Sequence, residues 1–163
     1  MSRALGGVTD LMQAQGIALL VPLTVSVGAV LCTIVIHGLV VTAVVQFVRH
    51  EERLAHAGVG FWSDVVIVGL VTCFALAAHL MEIAVWALLF MGCGEFRDFA
   101  TAYYHSAVNY TTLGYGDLIM SAAWRMLGPL EAANGMVMFG VTTALVFGVI
   151  QRLIQRRFPN LEE

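Results

Sequence analysis

Thr111-Thr112-Leu113-Gly114-Tyr115-Gly116-Asp117 is the stretch on which the reading of this chain turns. Two glycines separated by one residue favour an extended or twisted backbone over a helix. The stretch lies between two apolar runs, 61–91 and 126–150, each about long enough to cross a bilayer. Non-helical backbone at membrane depth survives only where protein buries it or where it lines a watery passage. Gly114 and Gly116 admit backbone angles closed to other residues, so successive carbonyls can face one way. A ring of such segments would replace the water around a dehydrated cation, and the Thr112 hydroxyl offers one more layer of oxygen.

Composition agrees with a membrane setting. Of 163 residues, 60% are hydrophobic and only 12% charged, with a mean hydropathy of +0.86. Soluble domains average about 45–50% apolar and about 25% charged. The net charge of -3 and the lack of a basic cluster with interleaved aromatics speak against nucleic acid. All eight basic residues are Arg. The three cysteines show no metal spacing; Cys32 and Cys73 lie in apolar runs and read as small packing residues, leaving Cys93 to meet solvent. No nucleophile–base pair or metal-ligand set is evident, so an enzyme is disfavoured and no cofactor is expected.

In chain order, residues 1–15 are mixed, and the apolar run that follows is too long for a signal-peptide core. No fixed charge occurs from Leu11 to Val48. The core of that run, 17–48, would reach about 48 Å as a helix, which is one long span rather than two. Pro22 falls near its expected start, where a missing N–H costs little. A polar connection follows Arg49 and leads to Gly60. The second span is expected from Phe61 to Met91, with Trp62 as an interfacial anchor and Ser63 or Asp64 as its cap. Residues 99–110 are too few to cross and suit a re-entrant helix, capped by Asp98, whose negative end would favour a cation. The third span runs over 126–150, with Gly128-Pro129 in its first turn and a tail of 151–163.

Orientation follows from arginine placement. Arg49, Arg53, Arg152, Arg156 and Arg157 fall on one side and Arg3, Arg97 and Arg125 on the other, which puts the tail in the cytoplasm and the N-terminus outside. Glu95, Asp98 and Asp117 then gather on the outer side and raise the local cation concentration. The expected protein is an all-α, multi-pass protein of the cell membrane.

The Thr-Thr-Leu-Gly-Tyr-Gly-Asp stretch resembles the potassium-channel signature, in the version found in two-pore-domain channels and their bacterial single-pore relatives. The resemblance covers a two-span pore unit, about residues 61–155. It implies a pore domain over 61–163, preceded by an added helix and cytoplasmic connection over 1–60. It also implies K+ sites at the backbone carbonyls of Thr112, Leu113, Gly114 and Tyr115 with the Thr112 hydroxyl, Gly116 completing the filter. Thr111, Asp117, Tyr104 and His105 would support that filter. One loop per chain requires four copies, hence a homotetramer. Three positions depart from the family: Leu113 stands for Val or Ile, Val108 for a Glu behind the filter, and Tyr104-His105 for an aromatic pair.

Several polar residues admit two readings. His79 and Glu82 share a helix face and suit either a pH-sensitive pair or a structural contact. Glu131 and Asn134 repeat the spacing near filter level, and Glu131 is expected to brace the filter in place of the missing carboxylate. His37 reads as a lone packed histidine. Gly135, Gly140 and Gly148 suit hinges or close packing, and Phe147 an apolar gate. The first span lacks the Arg repeat of a voltage sensor, and the short tail leaves no room for a ligand domain. The chain thus reads as a potassium channel. The rivals are a weakly selective cation channel, a transporter subunit, which would use single-glycine loops in four repeats, and a non-conducting subunit with no need of Thr112 or the glycines.

Overall fold

The computed structural model describes residues 2–54 and 60–158, with the side chains of 20–50 and 60–158. The connection at 55–59, the end of the tail at 159–163 and the side chains of Arg3, Asp10 and Arg53 lie outside the described residues. Four helices follow in order: α1 (Ser2–Leu54), α2 (Phe61–Gly92), α3 (Phe99–Tyr110) and α4 (Leu127–Arg157). Among the described residues there is no strand. Three stretches are long and apolar enough to cross a membrane: Leu20–His50, Phe61–Gly92 and Leu127–Arg157.

α1 is longer than its apolar run. It is helical over 53 residues, roughly 80 Å at the usual rise. Hydropathy marks the part suited to lipid, whereas Leu11-Met12-Gln13-Ala14-Gln15 are strong helix formers and give the helix no reason to stop. Pro22 therefore sits inside the helix rather than near its start, and is a correction to the sequence reading. It removes one ladder bond there. Just beyond it, the Thr24 hydroxyl is placed 3.1 Å from the Leu20 carbonyl and 2.9 Å from that of Val21. α4 likewise runs past the expected end at Ile150 to Arg157, where Arg156 and Arg157 suit the negative end of its dipole.

α2 and α3 keep the expected bounds. The cap of α2 is different: the Gly60 carbonyl accepts from the N–H groups of Ser63 and Asp64 at 3.0 and 3.4 Å, so both lie in the first turn. The Asp64 carboxylate instead accepts from Arg157 at 3.4 Å. The Arg157 guanidinium also lies 5.7 Å from the centre of the Phe61 ring, within cation–π range.

The chain forms two compact units, 1–32 with 83–136 and 33–82 with 137–163. In the second, each of three helices gives an i, i+4 pair to one apolar core: Val44 and Val48, Ile67 and Val71, Val149 and Leu153. These side chains, β-branched except for Leu153, pack closely on three facing stripes, and such packing holds helices together in lipid. Helix hydroxyls are satisfied locally, as where Thr42, Thr72 and Thr143 donate to the carbonyls of Gly38, Val68 and Phe139. In the first unit Trp86, Phe90, Tyr110 and Leu127 are fully buried. Cys32 and Cys73 are exposed on the chain rather than packed within it, because both face away from the packed stripes, and Cys93 is half-buried.

Candidate functional site

α3 is set by its two ends. Asp98 takes an extended conformation before the first turn, and its carboxylate accepts from the Thr101 N–H at 2.8 Å. That bond holds the Asp98 carboxyl below its ordinary range. At the other end Thr111 leaves the helical region, and its hydroxyl folds back onto the Ala107 carbonyl at 2.7 Å.

Beyond Thr111 the backbone stays tied to the last turn. Thr112 N–H donates to the Asn109 carbonyl at 2.8 Å, and those of Leu113 and Gly114 to the Val108 carbonyl at 3.0 and 3.1 Å. Val108, where a carboxylate was missed, therefore serves through its backbone. The φ angle is then positive at every second residue: 61° at Thr112, 60° at Gly114 and 71° at Gly116. In a backbone that alternates hand in this way, successive peptide groups tilt together, N–H groups to one side and carbonyls to the other. Leu113 and Tyr115, between them, are exposed on the chain.

The segment ends at Asp117, whose carboxylate accepts from the Tyr104 hydroxyl of α3 at 2.8 Å. The bond to that carboxylate pushes the Tyr104 hydroxyl pKa up. His105 does something else. Its ring packs between Phe90 and Phe96, with centroids at 5.4 and 4.9 Å, and it shares a 2.9 Å hydrogen bond with Asn109. The connection after the segment is anchored by Glu95, which accepts from both the N–H and the hydroxyl of Ser121, at 2.7 and 2.6 Å.

Behind α3, buried Glu131 meets the Ser106 hydroxyl, which also lies 2.8 Å from the Ile83 carbonyl. A hydroxyl has one hydrogen for these two acceptors, so a proton on Glu131 would complete the set. Among the described residues its other oxygen, Oε2, is buried with no hydrogen-bond partner. Asn134 is also buried. Gly135 is a close-packing point: a Cβ built there would overlap the Tyr110 carbonyl oxygen. At Gly140 and Gly148 a Cβ meets nothing within 4 Å among the described residues of the same chain, and Phe147 is exposed on the chain.

A second polar group occupies the other unit. Glu82 contacts His79, as its spacing suggests, but also His37 of α1, so His37 is not alone. Spacing along one helix could not reveal a partner from another. Ser106, Ser121 and Thr142 escaped the sequence reading for the same reason.

A family model described as "ion channel" matches residues 65–152, more than half of the chain. The chain belongs to the ion channel family, and with three stretches apolar enough to span it is a multi-pass membrane protein. No curated protein and no solved structure matches it significantly.

Proposed function

We propose that the chain is one of four identical subunits of a potassium-selective channel that passes K+ down its gradient. α3 is the re-entrant helix and residues 112–116 the filter, with the carbonyls of Thr112, Leu113, Gly114 and Tyr115 and the Thr112 hydroxyl as ligands. The observation that carries this reading is the recurrence of positive φ at Thr112, Gly114 and Gly116 within a Thr-x-Gly-Tyr-Gly-Asp loop. Such a backbone aligns oxygens to replace a cation's hydration shell. The backbone bonds to Asn109 and Val108 hold the loop before the filter, and the Tyr104–Asp117 bond and the Glu95–Ser121 anchor hold it after. The filter opens to the outside, and the C-terminus is cytoplasmic, following the arginine bias.

Flux from liposomes that hold only this protein tests the proposal. K+ should pass readily and Na+ should not. Equal rates would make it a weakly selective cation channel, and no flux of either ion a non-conducting subunit.

A further inference from the structure

His37, His79, Glu82 and Thr142 close a ring that the conduction reading leaves unused. His37 Nδ1 lies 2.8 Å from Glu82 Oε1 and His79 Nδ1 3.3 Å from Glu82 Oε2. On the far side of both rings, His79 Nε2 and His37 Nε2 lie 2.9 and 3.1 Å from one Thr142 Oγ1. Both imidazoles and the carboxylate are buried, inside stretches suited to cross a membrane. Ionisable groups there are costly and mark sites of use.

We propose that His37, His79 and Glu82 form a binding site for one divalent transition-metal ion of the zinc type, with Thr142 as the shared outer partner of both histidines. Hydrogen inventory is the first argument. The four contacts need four hydrogens, while two neutral imidazoles and one threonine hydroxyl supply three. With Glu82 as carboxylate, the ring is complete only when it takes up a cation. A metal on both Nδ1 atoms leaves each Nε2–H free to donate. Thr142 Oγ1 has two lone pairs to receive them. The threonine's own hydrogen can then turn to the carbonyl four residues back, as Thr42, Thr72 and Thr143 do.

Distances are the second argument. One ligand atom from each of the three residues lies within 4.8 Å of the other two. At metal–ligand bonds of about 2.0–2.2 Å, neighbouring ligands of a tetrahedral ion stand about 3.4 Å apart. The observed separations of 2.8 and 3.3 Å run to the two different oxygens of Glu82, so a small turn of the carboxylate and an opening of about half an ångström would set one oxygen opposite both nitrogens. Two nitrogens and one carboxylate suit zinc, cobalt or nickel, whereas magnesium and calcium ask for six or more oxygens. Thr142 Oγ1 already stands where both rings would give their other N–H, as a metal-bound histidine normally does to an oxygen. The fourth position is left to water. An ion held this way ties α1 to α2, which gives the added first helix a task.

The test uses the full, untagged chain in detergent, stripped with chelator and dialysed against Zn2+ at neutral pH. The protein should retain one zinc per chain and unfold at a higher temperature, and chelator should reverse the shift. His37→Ala and Glu82→Gln should each bind at least about tenfold more weakly, and Thr142→Val about tenfold. Because a variant can fail to assemble, Co2+ is also bound to the unaltered protein, where intense visible bands of a tetrahedral nitrogen–oxygen site are expected. Weak octahedral bands, no retained zinc, or equal zinc binding by His37→Ala and Glu82→Gln would overturn the proposal. The ring would then be completed by a proton alone.

Discussion

Thr112 holds a φ of 61° without being a glycine. A side chain in the left-handed region costs about 1–2 kcal/mol, and such a conformation persists only where the surroundings impose it. Here the imposing contacts are the bonds that return Thr112, Leu113 and Gly114 to the last turn of α3. In the proposed filter the Thr112 hydroxyl is an ion ligand, a use that would offset the strain. Gly114 occupies the same region without that benefit, and a Cβ there would meet no atom of its own chain. Gly114→Ala should therefore fold and assemble, at a cost of about 1–2 kcal/mol. The same variant should lose the preference for K+ over Na+. Flux in liposomes beside a sizing column checks both, and a variant as selective as the parent would remove the filter assignment.

At the scale of elements, α3 is held from behind by Ser106 and Glu131 rather than by a carboxylate on the helix itself. Glu131 is completely buried. Glu131→Gln keeps the volume and offers an N–H to the serine, whereas Glu131→Ala removes the partner and leaves a void, worth about 2 kcal/mol or more. If this contact steadies the filter, single-channel records should show fast inactivation in the alanine variant and a milder change in the glutamine one. Unchanged gating with only a lower melting temperature would make Glu131 purely structural. Element bounds were legible where signals are local: Asp98 before Phe99, two glycines after Tyr110, Gly92 after Met91. They were not legible where helix and lipid part company, as at the two ends of α1, because hydropathy reports the solvent and not the backbone. The candidate loop was legible through its own letters, and Tyr104 through the family resemblance those letters carry. His37 and Ser106 were not, since their partners lie 45 and 25 residues away and only packing brings them near.

On the scale of the whole molecule, the chain covers little of its own apolar surface. Only 22, 39 and 17% of the three spanning windows are buried within it. Lipid takes part of the remainder, and in the proposed ring neighbouring copies take the rest, Tyr115 and Leu113 among it. One loop per chain closes a ring of carbonyls only in fourfold symmetry. Subunit counting by stepwise bleaching in membranes should give four, and a stable dimer or trimer would sink the model of the pore. The seat of Gly135 against the Tyr110 carbonyl has a mechanical meaning. Side chains meeting across an interface have torsions that absorb play, but here the α4 backbone bears directly on that of α3. Tyr110 is the last residue before Thr111. In the proposed pore, a turn of α4 about Gly135 would therefore meet no slack and would move the base of the ion path as a cam moves its follower.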